Sequence, residues 1–134
     1  MNEDTLMEII SHLSFHDMIQ LCRTNRALLQ TCKTLNIEKD IRLIRHKDEV
    51  IYPIPFLAVD IKNIIDELDL IKPPVGNTID DIDIVTSLHI RYSTLREVYI
   101  LAIYFQVDGY HIIYTFHNVN EVYYFIHRLY DIVL

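Results

Sequence analysis

Residues 98–133 read VYILAIYFQVDGYHIIYTFHNVNEVYYFIHRLYDIV, and along them the hydrophobic period changes from two residues to about 3.6. Tyr99, Leu101, Ile103, Phe105 and Val107 alternate with Val98, Ile100, Ala102, Tyr104 and Gln106, which is the repeat of a strand with both faces largely apolar. His111, Ile113 and Thr115 alternate with Ile112, Tyr114 and Phe116 in the same way. Asp108-Gly109 between the two runs predicts a type I′ hairpin, whose central residues both need positive φ. Asn118-Val119-Asn120-Glu121 then has the form of a capping box, and Val122, Phe125, Ile126, Leu129 and Val133 share one face of the helix it starts. Leu88, Ile90 and Tyr92 supply a third alternating run. A three-stranded antiparallel meander needs one face covered, and the terminal helix is expected to cover it. Because a strand apolar on both faces is usually covered twice, the second face is expected under the helix at 57–71, the N-terminal helices or a second chain.

Upstream, Leu57, Ile61, Ile64, Ile65 and Leu68 have helical spacing, and Pro73-Pro74 with Gly76-Asn77 are expected to end that helix. Val50 to Phe56 contains Pro53 and Pro55, which remove backbone donors, so it is expected as a linker or an edge segment and as the internal boundary. Before it the pattern is helical throughout. Leu6, Ile9, Ile10 and Leu13 form one stripe; Ser14 and Asp17 cap a second helix with Phe15, Met18, Ile19 and Cys22 inward. A third, short helix follows Thr24 or Asn25 with Leu28, Leu29 and Cys32, and a fourth carries Ile37, Ile41 and Ile44 opposite Lys39, Arg42, Arg45 and Lys47. The expected class is therefore α+β: a helical subdomain at 1–48, then an acidic subdomain at 49–134 with a helix, a three-stranded meander and a C-terminal helix.

At 134 residues the chain has room for one compact domain or two small subdomains sharing a core. Its 51% hydrophobic content excludes a disordered chain, and no apolar run approaches the roughly 18 residues that span a bilayer, so no membrane partner is expected. The acidic start MNEDTLMEII lacks the basic and apolar regions of a signal peptide, which predicts an intracellular protein with Cys22 and Cys32 as reduced thiols. Net charge is -7, and its excess acid lies wholly in 49–134, with twelve Asp or Glu against five Lys or Arg. Such a surface repels phosphate, so no nucleic acid partner is expected. Two glycines cannot build a phosphate-cradling loop.

No catalytic constellation stands out. His111 and His117 share one strand parity, but no Cys-x-x-Cys or His-Glu-x-x-His spacing exists, and Asp80, Asp81 and Asp83 lack the Gly turn and distal Glu of a calcium loop. Neither a metal nor another cofactor is expected. Ser11, Ser14, Ser87 and Ser93 read as caps and turns, and no nucleophile elbow occurs, so the chain is expected not to be an enzyme. The tyrosines of the last third are expected on half-buried surface or at an aromatic interface.

The segment DTLMEIISHLSFHDMIQLCRTNRALLQTC, within about residues 4–46, resembles an F-box, particularly the divergent F-box-like segments of large DNA viruses. The resemblance rests on the acidic helix start, on Leu6, Ile9, Ile10 and Leu13, on Asp17, Ile19, Leu21 and Cys22, and on Arg23-x-Asn25 before Leu28 and Leu29. Asp4-Thr5 stand where the family usually has Leu-Pro, and the closing Trp is absent. The resemblance implies a helical trap that docks on the Skp-type adaptor of a cullin ubiquitin ligase, with Leu6, Ile9, Ile10, Leu13, Ile19 and Leu21 as adaptor contacts and the remaining chain recruiting a substrate. The excess of Ile over Ala suits an AT-rich genome, and a viral source would place the protein in host cytoplasm or virion. The rival expectation is a structural or virion-associated homodimer, formed through an unpaired edge of the meander.

Overall fold

A computed structural model describes residues 3–72, 78–107 and 110–134. The expected turn at Asp108-Gly109 and the helix stop at Pro73-Pro74 and Gly76-Asn77 lie outside the described residues.

Three helices open the chain: α1 (Glu3–Ser11), α2 (Phe15–Thr24) and, after a 3-10 turn at Arg26–Leu28, α3 (Leu29–Arg45). Ser14 caps α2 as its position implies, its Oγ accepting from the Asp17 N–H at 3.2 Å. The expected third and fourth helices are one. No Gly or Pro interrupts 29–45, and the polar Asn36 turns inward, where its Nδ2 donates to the Cys32 carbonyl one turn back at 2.8 Å. Packing of α2 on α3 brings the Cα atoms of Cys22 and Cys32 to 5.9 Å, and the two residues form a disulfide, which corrects the expected free thiols. The free-thiol reading came from compartment signals, which carry no information about the distance between two helices.

Next come β1 (Val50–Tyr52), β2 (Phe56–Leu57), α4 (Ala58–Leu68), β3 (Ile84–Ser93), β4 (Val98–Phe105), β5 (His111–Phe116) and α5 (Val119–Val133). The meander of β3, β4 and β5 is present and antiparallel, and two short strands widen it to five. Val50 pairs with Ile90 and Phe56 with Val85, so β1 and β2 lie along the same edge of β3, with Pro53 and Pro55 in the gap where no ladder donor is needed. Helix α4 stops at Asp69, which takes the left-handed conformation at φ 50°.

The sheet buries its Leu88, Ile103, Ile112 and Ile90, Leu101, Tyr114 rows. Val122, Phe125, Ile126 and Leu129 of α5 are fully buried, and Phe125 meets Phe116 edge-on at 5.6 Å. The other sheet face behaves differently from expectation. Ser87, His89, Ala102 and Ile113 are half-buried there and Tyr104 and His111 exposed, while Ile100 and Thr115 are buried where the chain after α4 runs past β5, with the Thr115 N–H donating to the Ile71 carbonyl at 2.8 Å. One buried apolar cluster runs on both sides of residue 48, joining α1, α2 and α3 to the sheet and α5.

Candidate protein-interaction site

The six candidate contacts divide by burial. Leu6, Ile10 and Ile19 sit in the core, at 3%, 0% and 2% exposure, whereas Ile9, Leu13 and Leu21 are half-buried. The helical repeat explains the division: an apolar stripe wider than the helix it packs on leaves its margins facing outward. Leu6 and Leu21 come together with Leu28, Cys22 and Cys32 around an apolar hollow of about 30 Å³, and Asn25 closes its rim. Leu28 and Leu29 are half-buried as well, and Leu13, Leu21 and Leu29 pack in part against the core. Asp4 and Thr5, at the head of α1, are exposed.

What ties these helices to the rest of the fold is a set of contacts, most of them from α5. Arg23 of α2 donates through Nε to the Val133 carbonyl of α5 at 2.9 Å, and Lys33 of α3 pairs with Asp131. Burial pushes the Asp131 carboxyl up, but Lys33, with His127 and Arg128, outweighs it and holds the group below its ordinary value. Deeper, the Tyr52 and Tyr130 hydroxyls donate to the same Asp40 oxygen at 2.7 and 2.8 Å. Phe15 packs edge-on against both rings, at 4.9 and 5.8 Å. Burial raises the Asp40 carboxyl above its ordinary value, against the pull of the two tyrosines and Lys39. It raises both tyrosines well above theirs too, with the charge of Asp40 adding to it, so they stay protonated donors.

These joining residues escaped the sequence reading. Asp40 had a signal, since it falls three residues after Ile37 and four before Ile44, on their apolar stripe. Arg23, Tyr52 and Tyr130 had none, because their partners are distant in the chain.

The other candidates are dispersed. Asp80 Oδ1 accepts from the Ile82 N–H at 3.2 Å and Asp81 pairs with Lys62 at 3.3 Å; among the described residues no cluster of His, Cys, Asp or Glu could hold a metal. Ser11 bonds its own helix and Ser93 closes the turn to Arg96, but Ser87 is not a turn residue. It lies within β3, 3.3 Å from His89 Nε2, and His89 Nδ1 lies 3.0 Å from Glu49 Oε1. A carboxylate only accepts, so Nδ1 carries the proton and a neutral ring accepts from Ser87. The trio fixes the tautomer of an imidazole packed 4.5 Å from the Tyr104 ring. No described helix is long and apolar enough to cross a membrane.

The fold thus defines a class: an α+β protein with N-terminal helices joined to an antiparallel sheet and a C-terminal helix. Comparison with known families gives that segment its name, for the F-box domain model matches residues 1–40, which spans α1, α2, the 3-10 turn and most of α3. The N-terminal segment is F-box-like. No curated protein and no solved structure matches the chain.

Proposed function

We propose that residues 1–48 dock on a Skp-type adaptor of a cullin ubiquitin ligase, while residues 49–134 present a recruited partner, without catalysis by the chain itself. The observation that carries this reading is the coincidence of the family match with half-buried, only partly covered apolar side chains at Ile9, Leu13 and Leu21. Leu6, Ile10 and Ile19 act in it from beneath, holding the margin in shape. Ile9 is the residue to test, because it is half-buried and lies outside the core cluster. An Ile9→Lys variant is expected to lose at least about tenfold in affinity for purified Skp-type adaptor, roughly 1.4 kcal/mol, with its thermal midpoint within a few degrees of the parent. Biolayer interferometry checks this; equal binding by parent and variant, or none by the parent, would sink the proposal.

The rival reading, a self-associating structural or virion-associated protein, draws on the exposed Ile51 and Ile71 near the two margins of the sheet. Ile71 already accepts from Thr115 on the outer side of β5, so strand addition at that point would have to displace it. On the adaptor reading the purified chain sediments at micromolar concentration as a 15.9 kDa species; a homodimer would appear at twice that mass.

A further inference from the structure

An open cleft of about 490 Å³ lies between the C-terminal half of α3 and α5, lined by Glu38, Ile41, Arg42, Arg45, His46 and Tyr123. Basic residues in a last helical turn ordinarily need no explanation beyond the negative end of the helix dipole. Here the carbonyls at that end are already served: the His46 N–H bonds the Arg42 and Leu43 carbonyls at 3.0 and 3.1 Å, Lys47 bonds Ile44 at 3.0 Å, and Asp48 bonds Leu43 at 2.9 Å. The arginine side chains are therefore not needed as caps. Nor are they consumed elsewhere. Lys33, Lys62 and Arg128 all pair with carboxylates and Arg23 binds a carbonyl, yet among the described residues no ion pair or hydrogen bond engages the side chain of Arg42 or Arg45. Arg42 and Arg45 lie one turn apart on α3, so both guanidinium groups face the same cleft, and Glu38 is the one carboxylate that lines it with them. Across from them Tyr123 is 43% exposed with no described partner for its hydroxyl, whereas its neighbour Tyr124 donates to Glu67 at 2.8 Å. The buried Ile41 adds an apolar floor.

We infer that this cleft binds an acidic peptide segment of a partner protein, one with clustered carboxylates around an apolar side chain. Guanidinium forks match carboxylate geometry in pairs, and the Tyr123 ring and Ile41 offer contact to the apolar residue. As the place where the chain holds what it recruits, the cleft rests on the adaptor reading; as a binding site it does not.

The test uses the whole chain without adaptor. A fluorescein-labelled peptide Gly-Asp-Glu-Leu-Asp-Glu-Gly is titrated by anisotropy beside its neutral counterpart Gly-Asn-Gln-Leu-Asn-Gln-Gly. The acidic peptide is expected to bind and the neutral one to bind at least about tenfold more weakly. An Arg42→Gln/Arg45→Gln variant should lose at least about tenfold while keeping the parent's circular dichroism and thermal midpoint, since both side chains are exposed. Binding should fall away at about 1 M salt, where the Debye length is about 3 Å. Equal affinity for the two peptides, or an unaffected double variant, would overturn the inference, as would a short single-stranded oligonucleotide that displaces the probe at lower concentration than unlabelled peptide. Because the adaptor is absent, these failures are distinct from failure of Ile9→Lys to weaken adaptor binding.

Discussion

Replacing Phe125 by Ala is expected to cost about 3–5 kcal/mol, the range for truncating a fully buried aromatic ring. The side chain is 0% exposed, stands edge-on to Phe116 at 5.6 Å, and lies between Val122, Ile126 and Leu129, all equally buried. Removing it forfeits both the apolar transfer and the ring contact, and leaves a void that neighbours on a helix and a sheet cannot close without moving either. Domains of this size are stable by about 5–15 kcal/mol, so the loss is a large share of the whole. Guanidinium or urea unfolding reads it as a lower midpoint. A midpoint equal to the parent's would mean that α5 is not docked on the sheet.

At Asp40 two substitutions are expected to diverge. Asp40→Asn keeps an oxygen where Tyr52 and Tyr130 donate, whereas Asp40→Leu strands both hydroxyls, each at a cost of about 1–3 kcal/mol. Tyr130 retains a weak alternative in Met18 Sδ at 3.8 Å. The leucine variant is therefore expected to be less stable than the asparagine variant by about 2–4 kcal/mol, and equal stability would show that the hydroxyls find other acceptors. The asparagine variant also has a pH signature. Burial raises the carboxyl of the folded chain above its ordinary 3.8, so the folded state holds that proton more tightly than the unfolded one. The resulting stabilisation is complete below 3.8 and is lost as pH rises through the raised value. The difference in stability between Asp40→Asn and the parent should thus widen in favour of Asn as pH rises through that window. Asp131 and Glu67, both held below their ordinary values, act in the opposite sense, and being common to both chains they leave the difference unchanged.

The elements that depend on local period were legible. Alternation gave β3, β4 and β5, the 3.6-residue stripe gave α4 and α5, and Ser14 and Asn118 marked helix starts that the structure keeps, with Asn118 Oδ1 accepting from the Glu121 N–H at 3.1 Å. Elements that depend on a distant partner were not. The two prolines of 50–56 marked an edge segment or a linker, but that 50–52 and 56–57 pair as strands depends on the edge of β3, which lies some thirty-five residues downstream. That 29–45 is one helix rather than two was not legible, because the inward bond of Asn36 to the Cys32 carbonyl shows only in the folded chain. Of the site, the stripe was legible and its division was not: only packing shows that Ile10 lies inside and Ile9 at the margin. The cleft at Arg42 and Arg45 forms against Tyr123, some eighty positions downstream, and so belongs to the tertiary fold alone.

The clasp between the two ends of the chain also sets an order of events during synthesis. Met18 and Arg23 wait for Tyr130 and Val133, partners 112 and 110 positions later, and at roughly 5–20 residues per second several seconds pass between the emergence of one and the other. Through that interval the first three helices are outside the ribosome without their inner wall, and the apolar side that later faces α5 is open to chaperones. A nascent chain stalled before residue 119 would hold the F-box-like segment in that open condition, so its packed form is expected to arrive with α5 rather than with the segment that bears the family match.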